Sequence, residues 1–187
     1  MTKKKAVILI DGSNFYFKLK DIGLQNMIEI DLSNFLEKIS SKCQLVKSIY
    51  YIGKIRTDKS SKTKKLHSQQ QKLFSHLKKH NIKYSLGYLL KSNGRYHEKG
   101  VDVKMAVDIL VSTYENECDH FFLISSDTDL LPAIRKAKQK KKTVEYVGFS
   151  HQPSIALVAN CNSSRLLTKE DISPFLIKIE KNHENHR

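Results

Sequence analysis

Covalent and metal staples are scarce in this chain: its three cysteines (Cys43, Cys118 and Cys161) are odd in number among 187 residues and lack metal-ligand spacing. A disulfide framework and a zinc-ribbon scaffold are therefore excluded, and reduced thiols in a cytoplasmic protein are the expectation. Seven glycines and three prolines form no linker-like stretch, and no internal repeat is found, so one domain is expected. No apolar run approaches the ~18–20 residues that span a bilayer, which argues against a membrane partner. The first residues, MTKKKAVILIDG, put lysines before an apolar stretch as a secretory leader does. That stretch is about five residues, against ~7–15 in a leader, and it runs into Asp11. It reads as a buried first strand. There is no G-x-x-x-x-G-K-[ST] phosphate loop and no Ser-His-Asp motif context, so nucleotide hydrolysis on a phosphate loop and triad chemistry are both disfavoured.

Acidic residues are also in deficit. Lys plus Arg number 33 against 19 Asp plus Glu, a net charge of +14. The excess is concentrated: residues 54–104 carry 14 basic and 3 acidic side chains, and RKAKQKKK (135–142) adds six positives with no acid. Localised positive charge favours a polyanion through counterion release from phosphates, although a lysine-rich solvated face is the blander reading. With 40% hydrophobic and 28% charged residues, the composition is that of a folded globular protein.

Apolar runs alternate with amphipathic ones. AVILI (6–10), VKSIYYIGK (46–54), IKYSLGYLL (82–90), FFLIS (121–125) and TVEYVGF (143–149) read as strands covered on both faces. Helical spacing links Leu66, Leu73, Phe74 and Leu77 within 59–80, then Val103, Ala106, Val107 and Leu110 after Gly100. It returns with Leu130, Ile134 and Ala137, and with Ile155, Leu157 and Val158. The alternation predicts an α/β fold: an open, mainly parallel, doubly wound sheet with helices on both faces. The domain is expected to span 1–177, with KIEKNHENHR (178–187) as a frayed tail. In such sheets, ligands bind beyond the carboxyl ends of the strands, where strand order reverses.

Acidic residues stand at those ends. Asp11 closes the first strand, with Asn14 three residues on; Asp127 follows the fourth, with Asp129 two further; Asp102 opens the helix in KGVDVKMAVD. Oxygen ligands of this kind suit Mg²⁺ or Mn²⁺, which activate water and stabilise charge on a phosphodiester. Structural readings stand beside this one. Asp129 fits the N-cap of the helix through Leu131 and Ile134, and Asp102 suits a helix N-terminus through the macrodipole. Ser13 or Asn14 fits the cap of a helix starting near Phe15. Asp108, six residues after Asp102, lies about 120° around and roughly 9 Å along the helix, so it is read as a surface or salt-bridged residue.

IDGSNFYF, KGVDVKMAVDIL and FFLISSDTDLLPAIRKAKQKKKTVEYVGF resemble, in order and spacing, the signature blocks of the NYN domain, closest to its LabA-like branch within the PIN-like nucleases. The resemblance covers about residues 4–170. It implies a PIN-like Rossmannoid sheet and a Mg²⁺- or Mn²⁺-dependent ribonuclease site. Asp11, Asp102, Asp127 and Asp129 would be its metal-holding catalytic carboxylates, and Asn14 a support behind those carboxylates or a substrate contact. Ser126 stands where many relatives have glycine, and Leu130 where an aromatic is common.

Other candidates weigh less. His76 and His80 are i, i+4 on a helix, but with His67 and the HENH run (183–186) they are expected to be solvated. SNG (92–94) is expected as a turn between a strand and a helix. Tyr50, Tyr51, Tyr84 and Tyr88 are expected mostly on core or strand faces, and Tyr96 is the candidate for stacking on a base. The sequence thus predicts a metal-dependent endoribonuclease, a monomer or homodimer acting on RNA (or DNA). Arg95, Tyr96, Lys99, Lys64, Lys65, Lys140 and Lys141 are expected around the substrate, within the cationic segments 59–65, 78–80, 91–99 and 135–142. The alternatives are a non-catalytic RNA- or DNA-binding module and a small-ester phosphatase.

Overall fold

The structure, a computed structural model, describes residues 2–24, 27–55, 60–92 and 95–177, the side chains of 89–92 and 95–98 excepted. The chain runs β1 (Lys5–Asp11), α1 (Gly12–Asp21), α2 (Leu32–Ile39), β2 (Gln44–Lys54), α3 (Ser61–Lys79), β3 (Lys83–Ser92), β4 (Arg95–Lys99), α4 (Val101–Tyr114), β5 (His120–Ile124), α5 (Leu131–Gln139), β6 (Thr143–Phe149), α6 (Ile155–Asn160), β7 (Ser163–Leu167) and α7 (Lys169–Ile172). The sheet order is β4-β3-β2-β1-β5-β6-β7. Every pairing is parallel except β3 with β4.

Alternation along the central strands builds two cores. Ala6, Ile8 and Ile10 of β1, with Phe122 and Ile124 of β5, meet residues of α1, α2, α3 and α7. Val7 and Leu9, with Phe121 and Leu123, meet residues of α4, α5 and α6. Burying such side chains contributes ~1.5–3 kcal/mol each, and a strand with partners on both faces has no solvated side, hence its continuous apolar run. The doubly wound sheet expected from the sequence is the one observed.

Two connections differ from expectation. Residues 95–99, expected to lead straight into a helix, form β4, antiparallel to β3 with Tyr88 beside Lys99. The turn expected at 92–94 therefore joins two strands; Asn93 and Gly94 lie outside the described residues, as does the tail expected at 178–187. Leu32, Phe35, Leu36 and Ile39 are buried on α2 at i, i+3, i+4 and i+7, behind an Asp31 cap that accepts from the Asn34 N–H at 3.2 Å. That pattern is a helix signal the sequence does carry.

Candidate active site

The strand order reverses between β1 and β5: from β1 the chain winds outward to β4 and then returns to β1's other side. Helices leaving these two strands must cross opposite faces, which opens a crevice at their carboxyl ends. A cleft of about 650 Å³ lies there, lined by Asp11, Ser13, Asn14 and Phe17, by residues 99–103, and by Ser126 and Asp127.

Local geometry sets each acid. Asp11 caps α1, its Oδ1 accepting from the Asn14 N–H at 3.0 Å. Gly12 follows because a Cβ there would lie 2.2 Å from the Tyr50 ring and 2.6 Å from the Tyr51 carbonyl oxygen. Ser125, buried at the end of β5, donates its hydroxyl to Asp11 Oδ2 at 3.1 Å and accepts from the Asp127 N–H at 3.1 Å. This one hydroxyl couples the two strand ends. Asp127 Oδ1 in turn accepts from the Asp129 N–H at 2.9 Å, capping a 3₁₀ turn. The cap in this segment is Asp127, not Asp129; at α1 it is Asp11, not Ser13 or Asn14. Asp102 enters from the other side, in the first turn of α4, after Gly100 reverses the chain at φ 77°. A left-handed residue suits the reversal from β4 into a helix, and glycine adopts it without a Cβ penalty.

Carboxylate oxygens of Asp102, Asp127 and Asp129 lie within 4.8 Å of one another, two half-buried and one exposed. Like charges so close repel unless a cation sits among them, and an all-oxygen set suits a hard divalent ion. Asp11 lines the same cleft but lies outside this trio, its carboxylate engaged by α1 and Ser125. Asn14 and Lys99 line the cleft. Lys64 and Lys65 are exposed near the start of α3, beyond the carboxyl end of β2, but do not line it. The side chains of Arg95 and Tyr96 lie outside the described residues.

Lys140 and Lys141 do not line this cleft. They precede β6, whose Thr143 stands beside His120, which stands beside Ala6. Ala6 is five residues, or roughly 17 Å of strand, from Asp11, so these lysines lie at the opposite edge of the sheet. A helix that returns the chain to the start of a parallel strand also carries its last residues away from the site.

Two further expectations change. Asp108 is half-buried and, among the described residues, in no ion pair: its Oδ2 accepts at 2.6 Å from the hydroxyl of buried Tyr51. Burial, then this hydrogen bond and charge, hold the Tyr51 phenol far above its usual range. His76 and His80 are half-buried and each is bonded: His76 Nε2 lies 3.0 Å from the Ile30 carbonyl and His80 Nδ1 lies 2.9 Å from Ser33 Oγ. His67 is half-buried with Gln71 Nε2 at 3.4 Å, and the HENH run lies outside the described residues. Tyr50 and Tyr51 are buried, whereas Tyr88 is 60% exposed. Leu130 is fully buried, and Ser126 Oγ reaches Tyr146 Oη at 3.3 Å, so both departures from the family pattern are absorbed by packing. The bridge through Ser125 and the exposure of Phe17 in the cleft have no signature in the sequence.

The chain is a doubly wound α/β domain with an acidic cleft at its switch point. The NYN domain model matches residues 5–167, and the chain belongs to the NYN domain family. An uncharacterized protein of Methanocaldococcus jannaschii, MJ0482, is 35% identical over 79 residues, which are 42% of this chain and 28% of that one. The chain thus matches little more than a quarter of that relative's length. The crystal structure of VPA0982, a protein of unknown function from Vibrio parahaemolyticus, shares the fold at a TM-score of 0.69 and 20% identity, over 94% of this chain and 97% of that one. T5 5′-exonuclease with bound zinc matches at a TM-score of 0.35 and 15% identity, over 75% of this chain and 55% of that one, too remote to carry an argument. Among the described residues, no helix is long and apolar enough to cross a membrane.

Proposed function

We propose that this protein is a metal-dependent endoribonuclease that hydrolyses RNA phosphodiester bonds at the carboxyl edge of its sheet. The observation that carries this reading is the convergence of Asp102, Asp127 and Asp129, from two separate elements, on one point within 4.8 Å. These three would hold one or two Mg²⁺ or Mn²⁺ ions, and the acid-only donor set fits such hard ions. When bound, a divalent ion there supplies an activated water and offsets charge on the leaving oxygen.

The residues themselves do the positioning. Asp11 and Ser125 fix the backbone that presents Asp127. Asn14 and Lys99, on the lining of the cleft, reach substrate backbone, Lys99 by charge and Asn14 by its side-chain amide. No covalent nucleophile is required. The test is cleavage of structured and unstructured RNA by the purified protein with Mn²⁺, with Mg²⁺ and with EDTA. Metal-dependent internal cuts that EDTA abolishes support the reading. RNA binding without cleavage in any metal would leave a binding module, and turnover of small phosphomonoesters alone would make it a phosphatase.

A further inference from the structure

Three aromatic residues follow one another on α1 and have different fates. Phe15 is fully buried, Tyr16 is 39% exposed and Phe17 is 59% exposed. Phe17 shares its helix face with Ser13 and Asn14, at i−4 and i−3, and all three line the acidic cleft. Across the lining stands Val103, 60% exposed, in the first turn of α4. The cleft is therefore polar and acidic near Asp11, Asp102 and Asp127, and has an aromatic and an aliphatic side chain on its margins. Single exposed apolar residues are ordinary. Two of them on the lining of one charged cleft make a surface that suits a flat, apolar-faced ligand whose remainder is charged.

We infer that Phe17 is a base-stacking subsite and that the substrate enters this cleft as a single strand. The inference rests on the nuclease reading above. A nucleobase offers a π-face to an aromatic ring only when it is unpaired and unstacked; flipped bases are held between aromatic and apolar side chains. Within a duplex both faces of each base are covered by its neighbours, so Phe17 discriminates by strandedness and not by sequence. Phe17 lines the same cleft as Asp102 and Asp127, so the base stacked on it lies within a few nucleotides of the cut. Lys99, on the same lining, meets the phosphates.

The test uses the full chain and a fluorescein-labelled 12-nucleotide unstructured RNA, with binding read by anisotropy in EDTA and cleavage read separately in Mn²⁺. The variants are Phe17→Ala, Phe17→Trp and, as a control, Tyr114→Ala, which removes an aromatic that is 57% exposed and lies outside the cleft lining. Phe17→Ala should weaken binding about tenfold or more and raise KM with kcat nearly unchanged, within the range that base stacking supplies. Phe17→Trp should restore both, and Tyr114→Ala should match wild type. A single abasic site scanned along the RNA should cost wild type as much at one position as Phe17→Ala costs, with no added loss in that variant. A blunt duplex should bind and be cut at least tenfold less well. Equal single-strand binding by the Phe17→Ala and Tyr114→Ala proteins, or additive abasic losses, would overturn the stacking subsite and leave the nuclease reading standing. Loss of binding in Phe17→Ala, with no cleavage by wild type in any metal, would keep the subsite and remove the nuclease.

Discussion

The two edges of the sheet hold their charged side chains differently. At the carboxyl edge, Asp102 and Asp127 face one cleft, and Asp129 joins them from the turn that Asp127 caps. At the amino edge, lysines are separately committed. Lys47 pairs with Glu117 at 2.5 Å, Lys138 donates to the Asn160 carbonyl, and buried Lys142 donates to Asn116. Lys140 stands 5.1 Å from the centre of the Tyr114 ring. The run RKAKQKKK is therefore no uniform patch. Arg135 donates to Asn160 Oδ1 at 3.1 Å, so the second half of α5 is tied to the end of α6 by residues that look like a polyanion site. Charge converges at one edge and is dispersed into the packing at the other.

The largest effect expected is on cleavage. Asp102→Asn should lose at least ~100-fold in metal-dependent cleavage, about 2.7 kcal/mol of barrier, in a protein whose circular dichroism is unchanged. Asp108→Asn should stay within about tenfold, because an amide oxygen still accepts from Tyr51. A folded Asp108→Asn protein as inactive as Asp102→Asn would extend the acidic site along α4.

Stability separates the acids further. Asp108→Ala should cost ~1–3 kcal/mol by denaturant unfolding, since it strands the buried Tyr51 hydroxyl. Asp127→Asn keeps a capping oxygen for the Asp129 N–H and removes a repulsion, so its metal-free stability should equal or exceed that of wild type. A large loss there would make Asp127 a structural acceptor above all.

The basic residues provide the next contrast. Replacing Lys99 by Ala should lower the slope of log K against log[salt] for RNA binding by about 0.7–0.9, one phosphate contact. The double change Lys140→Ala, Lys141→Ala should leave the slope nearly unchanged. A double-variant slope reduced by about two contacts would return the amino edge to the binding surface.

The smallest effect concerns pH. Burial, and then the neighbouring His80, hold His76 below its ordinary value of 6.5. The unfolded chain takes up this proton at higher pH than the folded one does. The associated stability is therefore complete above about pH 6.5 and is lost as pH falls through that value towards the folded pKa. His76→Gln should flatten that part of the stability curve while leaving cleavage intact.

How much was legible follows from which forces act locally. The runs AVILI and FFLIS announce strands because burial on both faces demands an apolar residue at every position. Asp11 and Asp127 announce a site because charge directly after such runs needs a reason. β4 was not legible: RYHEK has neither alternation nor an apolar run, and its pairing with β3 comes from the hairpin. The edge occupied by Lys140 and Lys141 depends on chain direction after α5, which composition does not encode. Ser125 looks like any strand-end serine until the fold sets Asp11 beside it. Phe17 reads as one more core aromatic because only the rotation of α1 separates it from Phe15.

Whether the carboxyl-edge acids form one divalent-ion site is decided by calorimetric titration of Mn²⁺ into wild type and into Asp127→Asn. Wild type should bind one or two ions saturably and the variant at least tenfold more weakly, with a rise in melting temperature only where the ion binds. Equal Mn²⁺ binding by the two proteins, or none by wild type, would contradict such a site.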